Sequence, residues 1–341
     1  MKIIISAFLL VCFSNISAQK LTNTEWTQIT AERKDGSKIL DRLHPEQYTM
    51  KYIFLDKSVI TFLNSKYESE TEYKITGKTL SIGDYLKYII DTVNSDILML
   101  TQISNSGLTD DKINRFIFLS RRSIYQYLKE NDLVENSDSF LVSNNKFAPS
   151  FNGNIDSFLL SKFGIHKINS KLFGYFIIND NGKILDVHFN EHAVFLDNEI
   201  KKLRDIIKLS DRFWSLPETP KNISIKVNFL INFSRYSEIK FSLIDKSFSQ
   251  DSIKPLTITE TLKSNDYFKE GNEFLQKGKY EKASKLYIKC VEIDSFFLDA
   301  YYNLGYCYQK LNKKDMACEI WSKLKNMGQK EGENLYNKDC K

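Results

Sequence analysis

Three hydrophobic periodicities follow one another along the chain. From Trp26 to Leu119 the apolar residues come in short runs, Tyr48 to Leu55, Ser58 to Leu63, Tyr73 to Ile82, Tyr85 to Val93 and Ile97 to Ile103, broken by turn-forming residues. Short, evenly spaced runs of this kind predict an antiparallel β meander. Gly77-Lys78 suits a two-residue hairpin loop, since Gly tolerates the positive φ that such loops need, and Asp56-Lys57 and Asn94-Ser95 are equivalent reversals. Residues 120 to 150 are polar and mixed, which predicts a connector. Next come a short helix over Ile155 to Phe163, a buried strand over Leu172 to Ile178, and a reversal at Asn179-Asp180-Asn181-Gly182 into a strand over Lys183 to Phe189. Leu196, Ile200, Leu203 and Ile207 recur at helical spacing behind the candidate cap Asp197. Then Ile223, Ile225, Val227, Phe229, Ile231 and Phe233 fill every odd position of one run, while Ser224, Lys226, Asn228 and Asn232 take even ones. This predicts a strand with one buried and one wet face.

The last segment repeats at 34 residues. Tyr267 aligns with Tyr301, Gly271 with Gly305, Phe274 with Tyr308, Ala283 with Ala317 and Tyr287 with Trp321. The small residues let paired helices approach and the aromatics fill the remaining volume. This pattern resembles the tetratricopeptide repeat. Glu270 departs from it, standing where Leu304 supplies an apolar residue, Cys290 takes a small-residue position, and Ser295 a common Pro position. Two repeats and a terminal helix around Leu335-Tyr336 fall below the three that such arrays generally need.

Composition adds bounds. The 341 residues suggest two or three domains, and 42% apolar content argues against wholesale disorder. A net charge of +5, spread along the chain, gives no electrostatic case for nucleic acid. Met1-Lys2, the apolar run Ile3 to Phe13 and Ser17-Ala18 before Gln19 resemble a secretory leader cleaved after Ala18. The run is too short for the ~20 residues of a spanning helix, so the expected product is exported, periplasmic or envelope-associated, with membrane contact at most peripheral. Cleavage would remove Cys12 and leave Cys290, Cys307, Cys318 and Cys340. An even number in an exported chain reads as two disulfides, the alternative being four buried thiols. The helix order of the repeat family implies pairing of Cys290 with Cys307 and Cys318 with Cys340.

Two further resemblances concern the first two units. The order of short strands after an early Trp, ending in Arg115-Phe116-Ile117-Phe118-Leu119, resembles the lipocalin-like domains of exported bacterial proteins. Phe151-Asn152-Gly153, Gly174 to Ile178, Asn181 to Val187, Leu196-Asp197, Trp214 and the Ile223 to Phe233 run resemble the carboxy-terminal domain of the energy transducer TonB. Asn152 stands at the usual Pro of the opening motif, and Ser215-Leu216-Pro217 replaces a Pro-Gly. The resemblance implies an α+β sandwich whose sheet edge captures an extended receptor peptide. The candidate edge is Ile223, Ile225, Val227, Phe229, Ile231 and Phe233, which pairs by β-augmentation if it is not internal.

The expected architecture is therefore multidomain: leader 1–18, an antiparallel β meander or barrel over 19–122, a connector over 123–149, a TonB-like α+β sandwich over 150–240, a linker over 241–262, and all-α tetratricopeptide hairpins over 263–341. Tyr267, Gly271, Ala283, Tyr301, Gly305, Ala317 and Trp321 are the expected repeat-packing residues. Residues 264–341 hold 14 Lys against 12 acidic residues, so no strong field selects a charged partner.

His188-Phe189-Asn190-Glu191-His192 matches a zinc-peptidase string in which two His lie one helical turn apart. Here the preceding residues alternate as a strand, which separates the pair. His44 and His166 form no triad with anything nearby, so no catalytic residue, metal or cofactor is assigned. The expected function is an exported, non-enzymatic adaptor that binds protein or peptide partners, outer-membrane receptors among them, and no nucleic acid. The alternatives are a TonB-type energy transducer and a carrier of a small apolar ligand in the first unit.

Overall fold

The computed structural model describes residues 21–40, 49–64, 66–103, 107–131, 135–136, 140–144, 146–164, 169–190, 195–219, 221–234, 236, 238–244 and 256–341. The expected leader lies outside them.

The meander forms as expected. β1 (Thr24–Arg33), β2 (Met50–Phe54), β3 (Ser58–Leu63), β4 (Lys66–Thr76), β5 (Thr79–Ile82), β6 (Leu86–Val93), β7 (Ile97–Gln102) and β8 (Asn114–Ser120) each pair with the next. β8 then returns to β1, with Thr27 opposite Leu119 and Arg33 opposite Asn114. The sheet is a closed eight-stranded barrel, which leaves no open edge. Gly77 turns β4 into β5 at φ +60°. One face of the alternation points inward: Trp26, Tyr52, Phe54, Leu80, Ile90, Leu98, Leu100 and Phe118 are all buried in one cluster. Tyr52 stacks on Phe118 at 5.3 Å.

The stretch read as a connector is structured, and that reading is corrected. It contributes α1 (Arg121–Glu130), β9 (Glu135–Asn136) and β10 (Phe140–Val142). Ile124 and Leu128 lie four residues apart on α1 and share a core with Ile29 and Leu119 of the outer barrel wall. Asp96, in the β6–β7 turn, fastens the start of α1. Its Oδ1 accepts from Arg122 Nε at 3.1 Å and from Ser123 Oγ at 2.7 Å. Hydrogen bonds from Ser123, Ser95 and Arg122 lower its carboxyl from the ordinary range to about 2. A depressed carboxylate pKa stabilises the fold above the unfolded value near 4, and that contribution is lost as pH falls through the folded value. Acid titration should therefore weaken the tie at the start of α1 between about pH 4 and pH 2, while Ile124 and Leu128 keep the helix on the barrel. In Asp96→Asn, α1 amide exchange should show no transition in that window. An unchanged transition would exclude Asp96 as its cause.

The second unit comprises β11 (Ser150–Phe151), α2 (Ile155–Phe163), β12 (Ser170–Ile178), β13 (Ile184–Phe189), α3 (Asp197–Lys208), β14 (Trp214–Ser215), β15 (Ser224–Phe233) and β16 (Ile239–Leu243). Its main sheet runs β13-β12-β15-β10-β9, with β16 beside the second half of β15. α2 and α3 pack on one face, where Leu159, Phe163, Leu203 and Ile207 meet Phe176, Val227, Phe229 and Ile231. α3 begins one residue after Leu196, whose backbone is extended and whose side chain is exposed, so Leu196 does not belong to the buried stripe. Glu199 Oε2 accepts from the Leu196 N–H at 2.9 Å.

The stretch 241–262, expected to be a linker, holds the end of β16 and the start of α4 (Ile258–Gln276), where Thr257 and Glu260 form a reciprocal cap. α5 (Tyr280–Ile293), α6 (Leu298–Lys310), α7 (Lys314–Asn326) and α8 (Lys330–Asp339) complete two helical hairpins and a closing helix. Among the described residues, no helix is long and apolar enough to cross a membrane.

Candidate partner-binding surfaces

A strand can capture an extended peptide only if one of its sides carries unpaired backbone groups. β15 has neither side free. Along one side it pairs with β12 from Ile225–Ile178 to Phe233–Ser170. Along the other, β10 covers Ser224 to Lys226 and β16 covers Phe229 to Phe233. Ser143 N donates to Lys226 O, and Ile244 N to Asn228 O, at the junction between the two covering strands. The expected binding edge of Ile223, Ile225, Val227, Phe229, Ile231 and Phe233 is thus the centre of a sheet. The alternation identified the buried face, with Ile225, Val227, Phe229, Ile231 and Phe233 enclosed and Ile223 partly so, but the other face is not uniformly wet, since Asn228 is buried as well. It carries no information about lateral neighbours, and these come from segments read as a connector and a linker.

Polar side chains reach the flanking strands of this sheet. On β16, Asp156 of α2 accepts from the Phe241 N–H at 2.7 Å. On β13, Arg204 Nε of α3 donates to Val187 O at 3.1 Å. Such caps occupy groups that another strand would use.

His188 stands on β13 with its side chain exposed, stacked on Tyr175 at 5.1 Å, while Lys226 Nζ lies 4.0 Å from the Tyr175 ring centre on the same face. This is the pleated setting that the alternation predicts for His188. Glu191 and His192 lie outside the described residues.

The inward face of the barrel is lined with large buried side chains. Trp26, Tyr52, Phe54 and Phe118 fill its centre, and burial pushes the Tyr52 phenol well above its ordinary range.

The helical hairpins carry the most suitable surface. Their packing explains the small residues: a Cβ at Gly271 would lie 2.7 Å from the Tyr287 ring, and one at Gly305 would lie 2.3 Å from the Trp321 ring. Ala283, Tyr301, Ala317 and Trp321 are buried in the same cluster, and Tyr267 packs against it half-buried. The first helices of the two hairpins are joined by side chains. Asn303 Nδ2 of α6 donates to Asn272 Oδ1 of α4 at 3.0 Å, and the Tyr287 hydroxyl of α5 donates to the same oxygen at 2.7 Å. Burial raises the Tyr287 phenol, so it stays protonated and keeps donating. These bonds fix both amides while leaving the Asn272 N–H groups and the Asn303 carbonyl without another partner among the described residues. Tyr306, one helical turn beyond Asn303, is 42% exposed.

One of the two expected disulfides is present. Cys318 on α7 bonds Cys340 at the end of α8, closing 22 residues of separation. Cys290 and Cys307 are free and buried, and this corrects the expected second bridge. Both thiols serve as core residues, and burial pushes them up to about 12 and about 11.

The Asn272–Asn303 pair escaped the sequence reading because polar residues on a helix leave no hydrophobic periodicity. Their only signal was position, next to Gly271 and two residues before Gly305. No curated protein matches the chain. A family model described as TPR repeat matches residues 271–312, from Gly271 in α4 to the turn after α6, and this stretch contains both asparagines, the end of α4 and all of α5 and α6.

Proposed function

We propose that the chain is an exported, non-enzymatic scaffold of a bacterial envelope whose helical array grips an extended segment of a partner protein. The observation that carries this reading is the Asn272–Asn303 pair. An extended peptide needs an acceptor for each N–H and a donor for each C=O that it buries. The Asn272 amide offers the donor and the Asn303 carbonyl the acceptor, both held in place by Tyr287. The array carries almost balanced charge, so main-chain bonds and aromatic contact at Tyr306 set affinity here more than long-range attraction does.

The finer part of the proposal is an association with TonB-dependent outer-membrane transport components. It is supported by the helix, hairpin, helix and strand order of α2, β12, β13, α3 and β15, together with the motif residues of that unit. Because β15 is internal, such a partner would dock elsewhere than along that strand.

Selection of random displayed peptides on the full chain tests the main reading. Peptides enriched on the wild type should bind Asn272→Ala/Asn303→Ala at least about tenfold more weakly, the loss of one to two good hydrogen bonds. Equal binding to both proteins would dismiss the groove as the site.

A further inference from the structure

α8 is ten residues long, KEGENLYNKD, and only Gly332 in it is fully buried. A helix this short and polar does not persist by itself in water. It is held instead at its two ends, by two different devices.

At its start the barrel holds it. In the loop after β1, Lys38 N donates to Gly328 O at 3.0 Å, and Gln329 Nε2 donates to Lys38 O at 3.0 Å. Lys330 N, the first helical N–H, donates to Ser37 Oγ at 2.9 Å. Gln329 supplies no side-chain cap of its own, so Ser37 acts as an N-cap lent by another part of the chain. Asp35 orients that hydroxyl, accepting from Ser37 N at 2.9 Å and from Ser37 Oγ at 2.8 Å. Ser37 and Gln329 are buried in the contact. Gln329 falls 34 residues after Ser295, at the repeat position where Pro is common, and its amide is what reaches the barrel.

At its end the Cys318–Cys340 bond holds it. Both of these cysteines are half-buried at the surface, whereas Cys290 and Cys307 are enclosed. Besides the tethers, Leu335 and Tyr336 pack half-buried against the core of the array, and Gln309 Nε2 donates to Asp339 Oδ2 at 2.6 Å. Gly332 lies against Leu324, and Lys325 covers the Tyr336 ring at 5.2 Å.

We propose that α8 is a redox-sensitive strap, pinned permanently to the barrel at Lys330 and released at its far end when the Cys318–Cys340 bond is reduced. A dithiol reductant supplies the chemistry. One of its thiolates attacks a sulfur of the bond, giving a mixed disulfide and one free cysteine. Its second thiolate then displaces the other cysteine, so Cys318 and Cys340 gain two electrons and two protons while the reductant becomes a disulfide. The second half of α8 then frays from α7. The cavity of about 450 Å³ bordered by Ala317, Cys318, Trp321, Lys338 and Asp339 opens with it.

Hydrogen exchange on the full chain, with and without dithiothreitol, tests this inference. Reduction should speed exchange at residues 334–340 by at least about tenfold while 330–333 and the rest of the array stay protected. Cys318→Ser should reproduce the effect without reagent. Ser37→Ala/Gln329→Ala should, in the oxidised protein, loosen 330–333 alone, and with reductant should free the whole helix. Unchanged exchange at 334–340 on reduction would overturn the proposal. So would equal loosening of residues 258–339, which would make the bond a general staple of the array.

Discussion

Replacing Trp321 by Ala should unfold the helical array while leaving the barrel folded. The indole is 2% exposed and lies over Gly305 on the neighbouring helix, in a contact too close for any side chain at 305. Deleting a buried aromatic of this size costs about 3–5 kcal/mol, which is comparable with the whole stability of many domains. In a stack of helices each contacts only its neighbours, so losing the α6–α7 contact also undermines α8. Urea unfolding followed by far-ultraviolet dichroism should lose the helical transition or move it to much lower denaturant. Trp321→Phe separates packing from hydrogen bonding: the indole N–H has no partner among the described residues, so the smaller aromatic should retain most of the stability. A Trp321→Ala protein as stable as the wild type would disprove this account of the core.

The second large effect is expected where the barrel meets the second unit. Lys51 is 4% exposed, with Nζ 3.2 Å from Glu25 Oε1 and 2.8 Å from Ser150 Oγ. Glu25 is enclosed too and also faces Arg121 Nη1 at 3.8 Å. Glu25→Ala leaves a buried ammonium with only neutral acceptors, and stranding one charge of such a pair costs about 3–5 kcal/mol. The double variant Glu25→Leu/Lys51→Met removes both charges at similar volume and should recover most of that loss. The urea midpoints of the three proteins decide the matter. A Glu25→Ala change within about 0.5 kcal/mol of wild type, the size of an ordinary surface substitution, would mean that Lys51 is hydrated in solution.

Alternation and turn residues located most strands of the barrel and the reversals at Gly77, Asp56-Lys57 and Asn94-Ser95, because both signals are local, but they marked β1 only by Trp26 and missed the first half of β4, Lys66 to Glu72, whose residues are mostly charged or polar. Closure depends on β1 meeting β8 across some ninety residues, which no local pattern encodes. The same limit explains the misreading of β15. Its inward face was legible from the odd positions, but its neighbours β10 and β16 are short, and β10 lies parallel to it across a long separation. α1 was missed because its buried stripe is only Ile124 and Leu128 within a polar stretch. Repeat spacing placed Gly271 and Gly305 opposite aromatics, since steric need leaves a strong imprint on sequence. Cysteine count could not separate the Cys318–Cys340 bridge from the enclosed thiols of Cys290 and Cys307, because pairing depends on which side chains face outward. The hydrogen bonds at Asn272, Ser37 and Gln329 join distant segments and were invisible for the same reason.

The direct measurement is photocrosslinking in living cells from a reactive amino acid placed at Tyr306, followed by mass spectrometry of the adduct. The account predicts an adduct with a polypeptide, joined through an extended segment, that disappears when Asn272 and Asn303 are both replaced by Ala in an otherwise folded chain. An adduct that survives that double replacement, or a position 306 that captures only small molecules, would contradict it.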